Sequence, residues 1–408
     1  MKIRSITSFY DPADINSSRI LERLSEFARQ AAIRFSSACN EVQTTRLATT
    51  PFPTWIPLND TEAAVEAVTA LETSAQNAGF SYLGLGPALP RVPRSYELII
   101  PLLKATRNVF FGGIMASVPQ GIYLPAVRAC ARVVEQAASV TPDGFTNLRF
   151  AALANVSPNG PFFPAAYAAV ERPAFGLALE AADVALECFH KAASLAEARQ
   201  TLLAALNQQT ACLEKIAQEL SCQFDIDFKG IDCSLAPFPQ DWCSIGGALE
   251  SLGIPGLGLH GSLAAAAFLA DTLDRGEWRK TGFNGLMLPV LEDSTLAARS
   301  GGTLGLKDLL LFSAVCGTGL DTIPLPGSVT AGQIEALLLD VAALAVRLNK
   351  PLTARLMPVP GKREGELTTF NFSYFSNGKL MELNSGGVSG LLGGNEVVEI
   401  GQRPRSLI

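Results

Sequence analysis

The first 156 residues alternate between short apolar runs and longer amphipathic stretches, and this alternation limits the possible fold more than any other feature of the chain. The apolar runs predict strands, and short links join them to helical patterns. Strands are predicted over residues 3–10, 42–48, 80–85, 109–117 and 148–156, and the intervening helices include one capped by Asn59 and Glu62. Strands that alternate with helices in this way favour a parallel α/β fold.

The composition predicts that this sheet is deeply buried. Hydrophobic residues make up 48% of the 408 residues and charged residues only 17%, whereas charged residues make up about a quarter of an average soluble chain. Strands that are covered on both faces have continuous apolar sequences of this kind. So apolar a chain also favours an oligomer, most simply a homodimer, in which further apolar surface is buried.

The length is compatible with two domains or with one large α/β barrel. Two helices in the middle of the chain, the second capped by Ser194 and Glu197, separate βα-rich halves at about residues 1–170 and 221–408. No change of composition marks a flexible linker, so we expect a single domain over residues 1–408. The later pattern predicts strands over residues 224–235, 284–290 and 354–358, with helices between them and a short last strand near Val397.

The charge and the cysteine content argue against several classes of function. The net charge is −6, and no cluster of Lys and Arg occurs, so nucleic acid is not expected as a partner. No signal peptide pattern is present, and no uncharged apolar stretch reaches about 18 residues, so neither export nor a membrane span is expected. The eight cysteines lack metal-binding spacing and only two histidines occur. We therefore expect reduced thiols in a cytoplasmic protein without a His-rich metal centre.

The loop SPNGPFFPAAY, at residues 157–167, has two interpretations. Its three prolines and its aromatic side chains are typical of a rigid loop that covers the core with its own rings. Alternatively, the loop forms the wall or lid of a ligand pocket, to which Asn155 and Asn159 contribute polar contacts.

Charged residues lie in or after several predicted strands of the second half. They are Asp232, Glu292, Asp293, Asp321, Arg355 and Lys362. Ligands of parallel α/β folds bind at the carboxyl ends of strands, and unpaired charge is costly to bury in so apolar a chain. These residues therefore predict a pocket in which an acid transfers a proton and Arg355 and Lys362 bind negative charge. Each residue also has a structural interpretation as a capping, turn or solvated side chain.

The segment GLGLHGSL, at residues 256–263, opens a predicted helix. Backbone N–H groups near Gly261 are suited to an anion, because the first N–H groups of a helix have no partner within it. The segment matches neither a phosphate loop nor a dinucleotide-binding motif. His260 is either an acid–base group at this place or a hydrogen-bonded structural residue.

The segment FSAVCGTGLDTIPLPG, at residues 312–327, places a thiol, a carboxylate and two glycines close together. Cys316 ends a predicted helix, and Gly317, Thr318 and Gly319 form a turn before Asp321. The helix dipole disfavours a thiolate at this end, so Cys316 is a candidate nucleophile that also fits a small buried hydrophobe. The glycines predict a loop that enters a crowded core and delivers the carboxylate of Asp321.

Five segments occur in the order GIDCSLAP, GLHGSLAAAA, GLMLPVLED, SAVCGTGLDTIPLPG and ARLMPVPGKREGE. As a set they resemble the domain-of-unknown-function family 711 of uncharacterised bacterial and archaeal proteins, over essentially the whole chain. The resemblance implies a fold like the pyruvate formate-lyase barrel, with ten strands in two five-stranded parallel halves that run in opposite directions, ringed by helices. By analogy with glycyl radical enzymes, it also implies that the GTGLDT loop threads the barrel near its centre. The C-terminal sequence VVEIGQRPRSLI lacks their radical glycine motif, so glycyl radical chemistry is not expected.

Two functions fit these observations. The first is an enzyme that acts on a small anionic metabolite in a barrel pocket. The second is a non-catalytic metabolite-binding or regulatory protein, which needs only the pocket. A divalent metal, Mg²⁺ or Ca²⁺, on the acidic residues is a third and less favoured option.

Overall fold

The computed structural model describes residues 1–38 and 41–402, so that Cys39, one of the eight cysteines, lies outside the described residues. The strands of the described chain are β1 (Lys2–Tyr10), β2 (Thr45–Pro51), β3 (Tyr82–Gly86), β4 (Val109–Ser117), β5 (Gly121–Tyr123), β6 (Phe150–Ala154), β7 (Ala174–Glu180), β8 (Asp227–Ala236), β9 (Gly319–Pro326), β10 (Leu352–Val359) and β11 (Val397–Val398). Its α-helices are α1 (Ser17–Ser37), α2 (Thr61–Asn77), α3 (Arg94–Ala105), α4 (Leu124–Ala138), α5 (Ala182–Lys191), α6 (Leu195–Phe224), α7 (Ile245–Glu250), α8 (Ser262–Asp274), α9 (Ser294–Arg299), α10 (Leu306–Cys316) and α11 (Ala331–Leu348). The architecture is therefore mixed α/β.

One large sheet contains strands from both halves of the chain. Its main path has the order β8-β7-β1-β2-β3-β4-β6-β10-β9, and β5 and β11 extend it beside β4. Strands β1, β2, β3, β4 and β6 are parallel to one another. Strand β7 is antiparallel to β1, and β10 is antiparallel to β6, while β7 pairs with β8 and β9 with β10 in parallel. Five parallel strands are thus flanked by four that run in the opposite direction.

Residues 279–291 lie between the two ends of this path. On one side, Met287 N donates to Ser234 O of β8 over 3.0 Å. On the other side, Pro289 pairs in parallel with Asp321 of β9. The strand predicted here is irregular and pairs only at isolated points, partly because a proline has no N–H to donate. The segment nevertheless contacts both end strands of the sheet.

The change of strand direction falls earlier in the chain than the sequence predicts. Helices were expected directly after the loop at residues 157–167, but Ala174–Glu180 forms β7, in which all seven residues are buried. A short continuous apolar run fits a buried strand as well as a helix. The helical pair α5 and α6 therefore lies between β7 and β8 and does not separate the two strand directions.

Two helix caps test the sequence patterns locally. Ser194 caps α6 as predicted, because its hydroxyl accepts from Glu197 N over 3.2 Å. The predicted cap of α2 is wrong by one residue, since Asp60 rather than Asn59 accepts from Ala63 N. No helix in the described part of the chain is long and apolar enough to cross a membrane.

The loop at residues 157–167 packs on one face of the sheet, and the main hydrophobic core lies on the other. Phe163 of the loop clusters with Ala48 and Phe110, whereas Leu47 and Phe111 belong to the main core with the helices. Successive side chains of a strand point to opposite faces, so the helices and the loop cover the sheet from different sides. This placement brings the aromatic loop to the face of the sheet opposite the helices.

Candidate functional site

A cavity of about 550 Å³ opens at the end of the sheet where the first strands begin. Arg355 of β10 lines it, as does Glu292, which follows residues 279–291. Four more lining residues lie among the first three residues of strands β1 to β4, namely Arg4, Arg46, Tyr82 and Phe110. Because the two groups of strands run in opposite directions, the amino ends of one group meet residues from the other. The volume lies within the range of small-molecule sites.

The lining is strongly cationic, although the whole chain carries a net charge of −6. Among the described lining residues, Glu292 is the single carboxylate. The basic residues are six in number: Arg4, Lys104, Arg107, Arg149, Arg355 and Arg46. Two further carboxylates, Glu180 and Asp321, lie outside the lining and pair with Arg4 and Arg355. Even when they are included, the site has more cations than carboxylates. An excess of positive charge in a partly enclosed site attracts anions.

Two arginines and three carboxylates form a continuous chain of ion pairs along one wall of the cavity. Arg355 Nε donates to Asp321 Oδ1 over 2.5 Å, and Arg355 Nη2 donates to Glu292 Oε1 over 2.7 Å. Arg4 donates to the other oxygen of Glu292 and lies 3.4 Å from Glu180 Oε2. None of these side chains is more than 16% exposed. Each guanidinium is shared by two carboxylates, and the two guanidinium groups fix Glu292 in one orientation.

Burial and charge act in opposite directions on this chain of ion pairs. Burial raises the pKa of Asp321 above its ordinary value, even though Arg355 lies beside it. Burial also raises the pKa of Glu180, against the effect of Arg4. For Arg355, burial lowers the pKa, but Asp321 and Glu292 outweigh it and leave the pKa above its ordinary value. The arginines therefore favour the ionised forms of these two acids against the effect of burial.

Arg46 differs from these arginines because no carboxylate of the described residues pairs with it. Its Nε donates to Thr44 Oγ1 over 2.9 Å, and its guanidinium lies over the rings of Phe163 and Tyr82, at 5.2 and 5.6 Å from their centroids. Its two Nη atoms have no acceptor within the described chain. Burial, together with the charge of Arg4, lowers the pKa of Arg46 to about 9, so it stays protonated at neutral pH. A guanidinium with free N–H groups binds a carboxylate or phosphate in a bidentate manner.

Arg149 lines the same cavity, but its hydrogen bonds are already made. Its Nη2 donates to Leu103 O over 2.7 Å, and its Nη1 donates to Thr106 O over 3.0 Å. Leu103 lies in the last turn of α3, where carbonyl groups lack helical partners and favour a cation. Burial lowers the pKa of Arg149 to about 10. Arg149 therefore closes the end of α3, in contrast to Arg46.

Aromatic side chains form most of the apolar lining. They are Tyr82, Phe110, Phe145, Phe162, Phe163, Phe372 and Tyr374. Phe110 contacts Tyr82 and Phe163 with centroid distances of 5.4 Å and with ring planes inclined by 80° and 63°. Phe162 and Phe163 come from the loop at residues 157–167, so this loop forms part of the cavity wall.

The structure brings three of the predicted site residues together. Glu292 and Arg355 line the cavity, and Asp321 pairs with Arg355 behind the lining. Asp321 and Arg355 are neighbours because β9 and β10 pair in parallel. The carboxylate of Glu292, which directly follows residues 279–291, completes the group.

Asp232 and Asp293 hold the backbone and are not among the described residues that line the cavity. Asp232 accepts from Phe283 N over 2.7 Å, and burial raises its pKa to about 6. Asp293 caps α9 by accepting from Leu296 N over 2.9 Å and also accepts from Ile245 N over 2.6 Å. Burial raises the pKa of Asp293 as well. The two carboxylates position the segments on either side of Glu292.

Four other predicted residues lie outside the cavity lining of the described chain. His260 and Gly261 are exposed in the turn before α8. Lys362 follows β10 and donates to the backbone carbonyl of Leu367. Asn155 follows β6, at the opposite end of the first strands, and accepts from Val118 N over 3.1 Å. These four residues are therefore not part of the described lining that contains Glu292 and Arg355.

The segment GTGLDT is not the predicted loop, because β9 begins at Gly319. Cys316 is buried at the end of α10, 3.8 Å from Thr318 Oγ1. Gly317 caps the helix with a φ of +85°. Gly319 has a φ of +99°, and a Cβ there would lie 2.1 Å from Thr353 O, so the glycine permits close pairing with β10. Of this segment, only Asp321 reaches the ion-pair chain.

Four residues that line the cavity from the first strands were not predicted from the sequence: Arg4, Arg46, Tyr82 and Phe110. The available signal was the occurrence of Arg4 and Arg46 inside apolar strand patterns, where a charge needs a partner or a ligand. Within residues 1–38 and 41–402, no group of three or more His, Cys, Asp or Glu residues is placed to hold a metal ion.

Comparison with known proteins links the chain to uncharacterised relatives. The model of the family described as Uncharacterised ACR (DUF711) matches residues 1–376. The UPF0210 protein of Pyrobaculum arsenaticum is 33% identical over 86% of this chain and 81% of its own length. The UPF0210 protein of Acetivibrio thermocellus is 26% identical over 94% of this chain and 91% of its own length. The names of these relatives state no activity.

Proposed function

This chain belongs to the DUF711 family of uncharacterised proteins, and we propose that it is an enzyme whose cavity binds a small anionic metabolite through Arg46. The observation that carries the proposal is a half-buried guanidinium with two free Nη atoms beside a cavity of about 550 Å³. The charge of Arg46 has no carboxylate partner among the described residues, and an anionic ligand supplies one. In this proposal, Arg46 binds the anion, Arg355 orients Glu292, and Glu292 transfers a proton.

The surroundings of Arg46 support an anion rather than a cation or a neutral compound. Arg4 and Arg355 already hold Glu292, so the described lining residues offer no free acid to a cation. Lys104 and Arg107 lie at the exposed rim of the cavity and add positive charge there. Positive charge at an opening raises the local concentration of anions and their rate of association.

Glu292 is the candidate for proton transfer, because it is the single carboxylate among the described residues that line the cavity. A positioned acid or base typically accelerates a reaction by about 10²–10⁴-fold. Both Glu292 oxygens are already bonded, to Arg355 and to Arg4. That observation favours the second candidate function, in which the protein binds the metabolite without converting it.

Ligand binding tests the proposal directly. We expect small carboxylates and phosphates to raise the melting temperature of the protein at low ionic strength, whereas matched neutral amides do not, because Arg46 needs a negative partner. Calorimetry then gives the dissociation constants. Equal stabilisation by neutral and anionic members of each pair would contradict anion binding.

Turnover separates the enzyme from the binding protein. The variant Glu292→Gln is expected to bind the same compounds at least as tightly, because Arg4 and Arg355 are less neutralised. Its rate of turnover should fall by about 10²–10⁴-fold, measured by NMR of the incubated ligand. Full turnover in Glu292→Gln would remove Glu292 from the mechanism, and wild-type binding without any product would favour the non-catalytic function.

We also propose that the sheet closes into a ten-stranded barrel in a single domain, with residues 279–291 as the tenth strand. The hydrogen bond from this segment to β8 and its pairing with β9 support closure. The five parallel strands opposed by four others fit the two halves of such a barrel. An experimental structure in which residues 279–291 leave either neighbouring strand would contradict it.

A further inference from the structure

We infer that the ligand is an aromatic carboxylate whose carboxylate group binds Arg46 and whose ring lies among the aromatic side chains of the cavity. This inference rests on the proposed anion binding and adds the chemical class of the rest of the ligand. Seven aromatic side chains line the cavity, whereas Leu103, Val140, Leu148 and Met287 are its aliphatic ones. An aliphatic ligand would not require so strong a bias toward rings.

The arrangement of the rings suits a planar guest. Phe110 meets Tyr82 and Phe163 at inclinations of 80° and 63°, so neighbouring rings present both faces and edges to the cavity. Aromatic pairs prefer offset-stacked or edge-to-face contacts, which add about 0.5–1.5 kcal/mol beyond the area that they bury. A ligand ring can make both kinds of contact here.

The position of Arg46 joins the charged end of the ligand to its ring. The guanidinium lies over Phe163 and Tyr82, so an acid on its free Nη atoms is adjacent to the aromatic group. One free guanidinium matches the two oxygens of one carboxylate. The other buried arginines are already bonded to Asp321, Glu292, Glu180 or backbone carbonyls. We therefore assign one anchored carboxylate rather than several.

Three probes of similar size test the inference by calorimetry: benzoate, cyclohexanecarboxylate and benzamide. We expect benzoate to bind about 10-fold more tightly than cyclohexanecarboxylate, from one or two ring contacts, and benzamide to bind least. Equal affinity for the two carboxylates would overturn the aromatic inference and leave the anion proposal intact. Benzamide binding as tightly as benzoate, or the absence of binding by both carboxylates, would overturn the anion proposal itself.

A matched pair of variants locates the ring contact. Phe163→Leu should reduce the preference for benzoate to within about 3-fold, because the ring beside Arg46 is lost. Phe189→Leu removes another buried ring, which packs on Phe268 between α5 and α8, and should keep the full preference. A preference that is unchanged in Phe163→Leu, or reduced equally in both variants, would overturn the assigned position.

Discussion

Replacing Arg355 by methionine should lower the free energy of unfolding by about 3–5 kcal/mol at neutral pH, the typical cost of removing one partner from a buried ion pair. Arg355 is 8% exposed and holds Asp321 and Glu292 at the same time. Methionine fills a similar volume but leaves Asp321 without its arginine and Glu292 with Arg4 alone. Denaturant titration followed by circular dichroism measures the loss.

An exposed arginine provides the matched control. Arg172→Met breaks an ion pair with Asp225 in which the side chains are 55% and 74% exposed. Exposed pairs contribute about 0–1 kcal/mol, so this variant should unfold close to the wild type. Similar losses of unfolding free energy in Arg355→Met and Arg172→Met would show that the buried ion pairs of Arg355 contribute no more to stability than an exposed pair.

The loss in Arg355→Met should also depend on pH. Burial already raises the pKa of Asp321, and the missing guanidinium raises it further. A folded acid with a raised pKa binds more protons than the unfolded chain, so stability falls as pH rises from the unfolded pKa to the folded one. The deficit relative to the wild type should therefore be smallest near about pH 4, close to the pKa of an unfolded Asp, and should grow as the pH rises to neutral. An equal deficit at both values would mean that lost packing, rather than unpaired charge, causes the instability.

The pattern of local sequence was sufficient for most of the fold, but it failed at β7 and β9. Strand β4 was predicted with its observed bounds, because a long apolar run between clear helices has one interpretation. The region of β7 is predicted to be helical, yet AFGLALE is a short apolar run that pairs as a buried strand. The region of β9 is predicted to be a loop because of its glycines and prolines, whereas Gly319 allows close approach to β10. Both errors arise where pairing with distant strands overrides local preference.

The candidate site was predictable only where it follows the usual rule for parallel sheets. Glu292 and Arg355 were identified because charged residues in or after strands of an apolar chain suggest a pocket. Arg46 and Tyr82 lie at the beginnings of β2 and β3, where that rule does not apply. They share the cavity with Glu292 and Arg355 only because β7 and β10 run antiparallel to the first five strands. Strand direction is a property of the whole sheet and cannot be inferred from one segment.

Arg46→Met should have opposite effects on binding and on stability, which a purely structural residue would not. The affinity for a carboxylate ligand should fall at least about 10²-fold, because two hydrogen bonds to charged groups contribute roughly 1.5–3 kcal/mol each. The free energy of unfolding should stay the same or rise by about 1 kcal/mol, since an unpaired charge is replaced by an apolar side chain. Calorimetry and denaturant titration measure the two quantities.

Arg149→Met is the matched contrast within the same cavity. Its guanidinium bonds to the carbonyls of Leu103 and Thr106, so removing it should cost about 1–3 kcal/mol of stability by leaving buried acceptors without donors. Two identical substitutions of half-buried arginines should thus change stability in different directions, because one arginine serves the fold and the other a ligand. A clear loss of stability in Arg46→Met together with unchanged carboxylate affinity would show that Arg46 is structural. The anion would then have to bind elsewhere in the cavity, with Lys104 and Arg107 as the remaining cations that lack a buried partner among the described residues.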